Sequence, residues 1–286
     1  MRKPLFVAAV MAASLAAGVL PSTAETQTGR GPAVTFALPG DTPYGDAQRA
    51  GFPVLVKAVN ADRDVRFVPH AGDIKDGSST CDDARLADLA GLFGTFDDPF
   101  VLTPGDNDWT DCHRTAAGGY LPTERLDALR RVFFPVPGRT PGRHSMPVLT
   151  QAVDRRHRDY RENALFTRER VVFAAVHVVG SDNDLALWAQ LPGGDRPEPR
   201  KAEFEAREAT ALDWTDTAFA TARLTRASGV LLLMQAEPVE TPGFTNSDHP
   251  RETSLSLVLA RSDEGVPGGS APVRERDAGH TCHVTA

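Results

Sequence analysis

The feature that most constrains the fold is a short apolar strand ending in Gly-Asp, which occurs three times in the first half of the chain. Apolar runs at 34–38, 65–71 and 99–103 are followed by Gly-Asp pairs at 40–41, 72–73 and 105–106. Helical patterns at 44–60 and 82–94 separate the three runs. Alternating strands and helices are typical of a sheet built from βαβ units. The pattern therefore predicts an α/β fold.

The three aspartates, Asp41, Asp73 and Asp106, are expected to meet at one edge of this sheet. In α/β sheets, ligands bind at the carboxyl ends of the strands. Three carboxylates would repel one another there unless a cation lay among them. Hard divalent cations prefer oxygen ligands, and a histidine would add a nitrogen ligand. The repeated Gly-Asp pair therefore predicts a divalent metal site.

Beyond the third strand the chain continues to alternate: helices are predicted at 122–134 and 198–227, and strands at 170–179 and 229–235. Trp214, Phe219 and Leu224 are expected to face the core from the long helix.

Two stretches lack periodicity. The first, at 135–163, is rich in Pro, Gly and Arg and is predicted to be a surface excursion, whereas 263–286 is predicted to be an irregular tail.

Residues 1–24 have the pattern of a cleavable secretory signal peptide. Arg2 and Lys3 precede an apolar run at 5–20, and small residues at Ser22 and Ala24 suit cleavage after Ala24. The alternative is a membrane anchor, for which the run is short, because a span needs about 20 residues. We therefore expect a secreted or periplasmic protein without a membrane span after cleavage, whose main domain covers 25–262.

Charge and motifs narrow the possible functions. The formal net charge is −7, and an acidic surface argues against general nucleic-acid binding, which requires basic patches. It does not exclude a small phosphorylated substrate, because a metal ion can supply local positive charge. The sequence contains no G-x-S-x-G, P-loop or H-E-x-x-H motif. Serine hydrolases, P-loop nucleotidases and zincins are therefore unsupported, and the oligomeric state stays open.

Four blocks of sequence resemble the calcineurin-like metallophosphoesterases, the group that includes purple acid phosphatases. They are PGDTPYG (39–45), HAGDIKDGSSTC (70–81), PGDNDWTDCHR (104–114) and VVFAAVHVVGSDND (171–184). The resemblance implies a four-layer α/β/β/α sandwich, with an incomplete C-terminal part as a further possibility. It also implies one or two divalent metal ions and hydrolysis of phosphate mono- or diesters, with the metal among Fe, Mn, Zn and Ca. Two cations clamp the phosphate and activate a water in such sites.

The resemblance assigns roles to residues at the strand ends. Asp41 would bind the first metal, Asp73 would bridge both, and Asp106 would bind the second, with Asn107 as a further ligand. Asn107 stands where the family has a histidine that contacts phosphate or protonates the leaving group, and Gln235 stands where a metal-binding histidine is common. Candidate histidines that could compensate are His70, His113 and His177.

The cysteines are Cys81, Cys112 and Cys282, and in an exported protein one pair is expected to be oxidised. Cys81 and Cys112 follow the second and third Gly-Asp pairs. If those strands are neighbours, as the resemblance implies, a Cys81–Cys112 disulfide would join two metal loops, while the role of Cys282 stays open.

Two other functions compete with hydrolysis. The first is a catalytically degenerate family member that binds a metal or a ligand without turnover. The second is a calcium-stabilised domain. The spacing of Asp106, Asp108 and Asp111 permits calcium binding, although the block lacks the EF-hand pattern.

Overall fold

A computed structural model describes residues 33–236, 258–260, 274–275 and 281–285. The signal peptide expected at 1–24 lies outside the described residues. The helices are α1 (Gly45–Ala61), α2 (Asp83–Phe93), α3 (Pro122–Phe133), a short turn α4 (Gly180–Asn183) and α5 (Pro197–Thr225). The strands are β1 (Ala33–Ala37), β2 (Val68–His70), β3 (Phe100–Leu102), β4 (Leu149–Thr150), β5 (Ala164–Arg168), β6 (Val171–Ala175), β7 (Gly229–Leu233), β8 (Val258–Ala260), β9 (Arg274–Glu275) and β10 (Thr281–Thr285).

The first group of strands brings β1, β2 and β3 side by side. β2 pairs in parallel with β3. The segment before β2 lies beside β1, where Arg66 donates its backbone N–H to the Thr35 carbonyl at 3.0 Å and a parallel bridge joins Thr35 to Val65. β1 also pairs antiparallel with β10, and β10 with β9. The carboxyl ends of β1, β2 and β3 therefore point the same way, as predicted for the three Gly-Asp loops.

The second sheet has the strand order β4-β5-β6-β7-β8. Its two central strands, β6 and β7, are parallel, and the other neighbours are antiparallel. A hydrogen bond from the Thr103 hydroxyl to the Val176 carbonyl, at 3.1 Å, links the end of β3 to the end of β6. The loops that follow β6 and β7 are thereby brought to the same end of the molecule as the Gly-Asp loops.

Three apolar clusters hold the elements together, and alternation along the strands decides which cluster each residue joins. Residues from α1, α2 and α3 pack on β2 and β3 in the first cluster, which includes Phe52, Leu86, Phe93, Phe100 and Leu129. The second contains strand residues of both sheets, including Phe36, Phe67, Phe166, Phe173 and Leu231. In the third, α5 covers β6 and β7 through Val172, Ala174, Trp214, Ala218 and Leu232. The predicted α/β class is confirmed.

Several boundaries differ from the sequence prediction. The strands predicted at 65–71, 99–103 and 170–179 shorten to β2, β3 and β6. Each turns into a loop before its apolar run ends, and β2 also starts late, because Val65 forms only an isolated bridge to Thr35. The long helix matches its prediction, and Trp214 is buried, but Leu224 is 86% exposed. Its assignment to the core was wrong, because it lies on the face of α5 opposite the buried Ala218 and Ala222. Among the described residues, no helix has both the length and the apolar character needed to cross a membrane.

The two stretches without periodicity also contain structure. The segment 135–163 is not wholly a surface excursion, because Met146, Gln151, Glu162 and Asn163 are buried and β4 pairs with β5. Their burial comes from contacts with distant elements, which periodicity does not report. Within the stretch 263–286, predicted to be irregular, β9 and β10 form backbone ladders with each other and with β1.

Candidate metal centre

Two glycines bring the loops after β2 and β3 into backbone contact. A Cβ atom on Gly105 would lie 2.0 Å from Asp73 Oδ1 and 2.4 Å from the Asp73 nitrogen, and one on Gly72 would lie 2.6 Å from the Gly105 nitrogen. Only glycine permits this approach at either position. Gly72 has φ +88°, and Asp41 and Asp73 have φ +49° and +55°, so the turn places strain on two candidate ligands themselves.

A tyrosine hydroxyl lies between the first two aspartates. The Tyr44 hydroxyl is 2.8 Å from Asp41 Oδ1 and 3.0 Å from Asp73 Oδ2, so its single proton is shared between two carboxylates. Sequence reasoning missed Tyr44, although it sits three residues after Asp41 in the first loop. Its hydroxyl is an oxygen donor at the position where a cation would join Asp41 to Asp73.

Asn107 connects the second aspartate to the third. Its side-chain Nδ2 donates to Asp73 Oδ2 at 2.7 Å. Its backbone N–H is 3.1 Å from Asp73 Oδ1 and 3.0 Å from Asp106 Oδ1. The structure thus brings together all four residues proposed as metal ligands, namely Asp41, Asp73, Asp106 and Asn107.

The second sheet contributes two more polar side chains to Asp106. Gln235, which follows β7, donates from Nε2 to Asp106 Oδ1 at 3.3 Å and accepts from the Gly180 nitrogen at 2.6 Å. The Ser181 hydroxyl, in the loop after β6, is 2.8 Å from Asp106 Oδ2 and 3.2 Å from Asp111 Oδ1. A Cβ atom on Gly180 would lie 2.7 Å from Asp106 Oδ2, so a glycine again permits the contact.

These contacts form a continuous line that we call the carboxylate row. It consists of four aspartates and the neutral donors between them, in the order Asp41, Tyr44, Asp73, Asn107, Asp106, Ser181 and Asp111. At its end, Arg114 forms an ion pair with Asp111 Oδ2 at 2.8 Å. The row runs from the end of β1 to the loops after β3 and β6.

Asp108 holds the loops in place from beneath the row. Its buried carboxylate accepts the backbone N–H groups of Asp73 at 3.1 Å, Ile74 at 2.8 Å and Gly105 at 2.7 Å. The Cys81–Cys112 disulfide, with a Cα–Cα distance of 5.7 Å, joins the same two loops. The expected disulfide is confirmed. The sequence suggested Asp108 only as a calcium ligand. Its hydrogen bonds to three backbone N–H groups instead fix the positions of the two loops.

The row carries more negative charge than the protein around it neutralises. Burial, with the neighbouring Asp106 and Asp108, raises the pKa of Asp73 well above its ordinary value. Burial also raises the pKa of Asp108 to about 7 and, with Asp106, that of Asp111 to about 6. Buried Lys75 lies among these groups, and burial lowers its own pKa. A cation bound at the row would lower the pKa values of these carboxyl groups and so favour their ionised forms.

The donors in the row fit a hard divalent cation. Among residues 33–236, no three His, Cys, Asp or Glu side chains form a group that could hold a metal ion by themselves. The reason is that Tyr44, Asn107 and Ser181 stand between the carboxylates. An ion here would draw on carboxylate oxygens together with neutral hydroxyl oxygens, and oxygen ligands of this kind suit Ca²⁺, Mg²⁺ and Mn²⁺. The amides of Asn107 and Gln235 present N–H groups to the carboxylates, not oxygens.

The candidate histidines are engaged outside the row. His70 is fully buried; its Nε2 is 3.1 Å from the Thr42 carbonyl, and its Nδ1 accepts the Gly72 N–H at 3.2 Å. Burial lowers its pKa to about 4, so it stays neutral and supports the loops after β1 and β2. His113 is buried, and its Nδ1 accepts the Gln190 N–H at 3.4 Å.

His177 lies in a buried polar cluster behind Trp109. Its Nδ1 is 2.9 Å from Glu162 Oε1, and Glu162 is ion-paired with Arg130. Burial lowers the pKa of His177. Burial alone would raise the pKa of Glu162, but the interactions with Arg130 and His177 outweigh it and lower that pKa to about 2. His177 is therefore placed to support Trp109 rather than to meet a substrate. Glu162 was missed because it ends a stretch without periodicity.

Comparison of the chain with protein-family models, with curated proteins and with solved structures finds no match in any of the three.

Proposed function

We propose that this chain is an exported, divalent-cation-dependent phosphoesterase with the four-layer arrangement of the calcineurin-like enzymes. The observation that carries the proposal is the carboxylate row, in which Asp41, Asp73 and Asp106 leave three adjacent strands and meet through Tyr44 and Asn107. Clustered carboxylates with raised pKa values are typical of sites that bind cations or act on charged substrates.

The packing supports the proposed four layers. Helices α1–α3 pack on the first sheet, side chains of the two sheets share a cluster, and α5 packs on the second sheet. This order is the one expected of an α/β/β/α sandwich. The disulfide is also consistent with export, because such bonds persist in oxidising compartments.

The residues of the row and those beneath it would have different roles. Asp41, Asp73 and Asp106 would hold the cation, with the Tyr44 hydroxyl oxygen as a further ligand. Asn107 would join them only by turning its amide oxygen toward the row, because its Nδ2 faces Asp73. A bound divalent cation would polarise the phosphoryl oxygens and lower the pKa of a water molecule. Asp108 fixes the loops after β2 and β3 relative to each other. The positive charge of buried Lys75 partly offsets the negative charge of the nearby carboxylates.

The decisive experiment is metal analysis of the purified mature protein, followed by assays on an aryl phosphate monoester and an aryl phosphate diester. We expect a stoichiometric divalent cation and cation-dependent hydrolysis of at least one ester. Failure of the cation-loaded protein to hydrolyse either ester would count against the proposal.

A second candidate is a family member that binds a cation or ligand without turnover. It is favoured by one observation: the rings of His70, His113 and His177 are all held by groups outside the row, so none of these three imidazoles is placed to protonate a leaving group. Stoichiometric metal with no hydrolysis across the ester panel would support this candidate.

A further inference from the structure

We propose that Arg207 is a positioning residue, which holds the turn 181–184 in a left-handed conformation and so keeps the Ser181 hydroxyl against Asp106. Its consequence for cation binding rests on the proposed function, because Asp106 belongs to the proposed cation site. Arg207 lies outside the four blocks that carry the resemblance to the metallophosphoesterases, so the resemblance assigns it no role.

The turn that follows β6 has an unusual backbone. Its four residues all have positive φ, between +53° and +69°, and they are Ser181, Asp182, Asn183 and Asp184. L-residues avoid the left-handed region because Cβ crowds the following carbonyl oxygen; Asn and Asp enter it more readily than most, but as single residues rather than in a run. Four such residues in succession persist only where surrounding groups hold them.

The guanidinium of Arg207 holds this turn at two atoms of one residue. Nη2 donates to the Asn183 carbonyl at 2.7 Å, and Nη1 donates to the side-chain oxygen of the same residue. That side-chain oxygen also accepts the Val179 N–H at 3.3 Å. Asn183 is therefore tied both to α5 and to the segment that leads from β6 into the turn.

Arg207 can act as an anchor because its own position is fixed. The side chain is fully buried, and Glu203, four residues earlier in α5, accepts from Nε at 2.8 Å and from Nη2 at 3.1 Å. The guanidinium also lies over the Trp109 ring, 5.4 Å from its centre. A guanidinium presents its donors in a rigid planar fork, which the single ammonium of a lysine does not reproduce. Arg207 thus joins α5 to the two loops on either side of Asp106.

The left-handed turn brings the Ser181 hydroxyl to the row. Ser181 Oγ lies 2.8 Å from Asp106 Oδ2 and 3.2 Å from Asp111 Oδ1. Ser181 is two residues before Asn183, so a turn that relaxed to an ordinary backbone conformation would withdraw this hydroxyl from both carboxylates. Losing a group that orients a metal ligand lowers metal affinity about 10–100-fold. Release of the turn is therefore expected to weaken the proposed cation site.

The test measures amide exchange and cation binding in the mature protein, with Arg207→Lys, which keeps the buried charge but loses the fork. The N–H groups of Leu185 and Ala186 donate to the Asp182 and Ser181 carbonyls at 3.0 and 3.1 Å. In the metal-free protein, we expect these two amides to exchange about tenfold faster in Arg207→Lys. Calorimetric titration with Mn²⁺ should show affinity falling about tenfold, as in Ser181→Ala, and the double variant should lose no more than either single one.

A glycine placed in the turn provides the decisive rescue. Asp182 is exposed, and glycine adopts its left-handed conformation without strain, so Asp182→Gly should restore slow exchange and Mn²⁺ affinity to Arg207→Lys. Glu169→Gly is the matched control. Glu169 is also exposed, has φ +45°, and lies between β5 and β6, at the end of β6 away from the turn. It removes the same charge and the same kind of strain, so it should restore neither readout.

The outcomes separate the positioning role from the proposed function. Unchanged exchange or unchanged Mn²⁺ affinity in Arg207→Lys, or equal rescue by Glu169→Gly and Asp182→Gly, would overturn the inference. If exchange responds as expected but the wild type binds no Mn²⁺, the positioning role stands and the proposed cation site fails. Should Arg207→Lys not fold, Asn183→Ala keeps the pair of Arg207 with Glu203 while removing the side-chain acceptor, and wild-type exchange in that variant would overturn the inference.

Discussion

Trp109 donates its indole N–H to Nε2 of His177 across 3.2 Å, and both side chains are fully buried. Because Nε2 accepts this bond while Nδ1 faces Glu162, both ring nitrogens are occupied and the imidazole is neutral. This pair therefore connects the loop of Asp106 and Asp108 to the second sheet. It gives His177 a supporting role in place of the proton-transfer role first expected of it.

His177→Gln should accordingly reduce stability without changing how hydrolysis depends on pH. Losing buried hydrogen bonds of this kind costs about 1–3 kcal/mol, which denaturant unfolding would measure. The pH profile of kcat/KM on an active substrate is the second readout. A profile that loses a limb in His177→Gln would contradict the supporting role and restore His177 as an acid or base.

Asp73→Asn should remove most cation binding, because Asp73 touches both Tyr44 and Asn107 at the centre of the row. Replacing one carboxylate oxygen by an amide nitrogen removes a ligand and a charge together. Metal content after equilibrium dialysis measures the effect. The control is Asp213→Asn, since the Asp213 side chain is 61% exposed and pairs with His157. Normal metal loading in Asp73→Asn would exclude it as a ligand.

The Cys81–Cys112 bond should stabilise the fold by about 2–4 kcal/mol, the usual range for a disulfide. It should also preserve cation affinity, because it joins the loops that carry Asp73 and Asp106. We expect the double substitution of Cys81 and Cys112 by Ala to lower both the denaturation midpoint and the affinity for the cation.

Alkylation followed by mass spectrometry provides the control for that variant. In the wild type, Cys81 and Cys112 should react only after unfolding and reduction. Labelling of either cysteine in the unfolded, unreduced protein would mean that the bond is absent.

Asp184 should make the metal-free protein less stable as the pH rises. Its side chain is 1% exposed, Oδ1 accepts the Trp188 indole N–H at 2.9 Å, and Oδ2 has no hydrogen-bond partner within the described residues. Burial raises its pKa to about 8. Between about pH 4 and that value the folded state keeps a proton that the unfolded state has lost, so stability falls through this window.

Asp184→Asn should abolish this part of the pH dependence, which amounts to as much as about 1.4 kcal/mol per pH unit. Urea unfolding at several pH values within the window measures it. Asp154→Asn serves as the comparison, because hydrogen bonds from Arg156 lower the pKa of Asp154 to about 2, below the window. Equal slopes for Asp184→Asn and the wild type would disprove the assignment.

The strand ends were predictable, because each Gly-Asp pair directly follows an apolar run, and local pattern alone places such a pair at a strand's carboxyl edge. Asp41, Asp73 and Asp106 were found in this way, whereas Asn107 was proposed only from the resemblance to the metallophosphoesterases. Tyr44 and Asp108 lie inside the same blocks, but their roles depend on geometry. A hydroxyl shared by two carboxylates, or a carboxylate that accepts three backbone N–H groups, leaves no periodic signal.

Glu162 and Ser181 were missed for a different reason, since their surroundings come from distant parts of the chain. Glu162 is buried by α3 and β6 through Arg130 and His177, although it ends a segment rich in Pro, Gly and Arg. Leu224 lies two residues after the buried Ala222, on the opposite face of α5, so helical spacing itself directs it to solvent.

The link between Gln235 and Asp106 has a consequence for the order in which the protein matures. These residues are 129 positions apart in the chain. Asp41, Asp73 and Asp106 can come together once the first three strands have formed, but Gln235 can reach Asp106 only after β7 has been synthesised and has paired with β6. Non-local contacts of this separation form late in folding. The contact between Gln235 and Asp106 can therefore form only when both sheets have assembled.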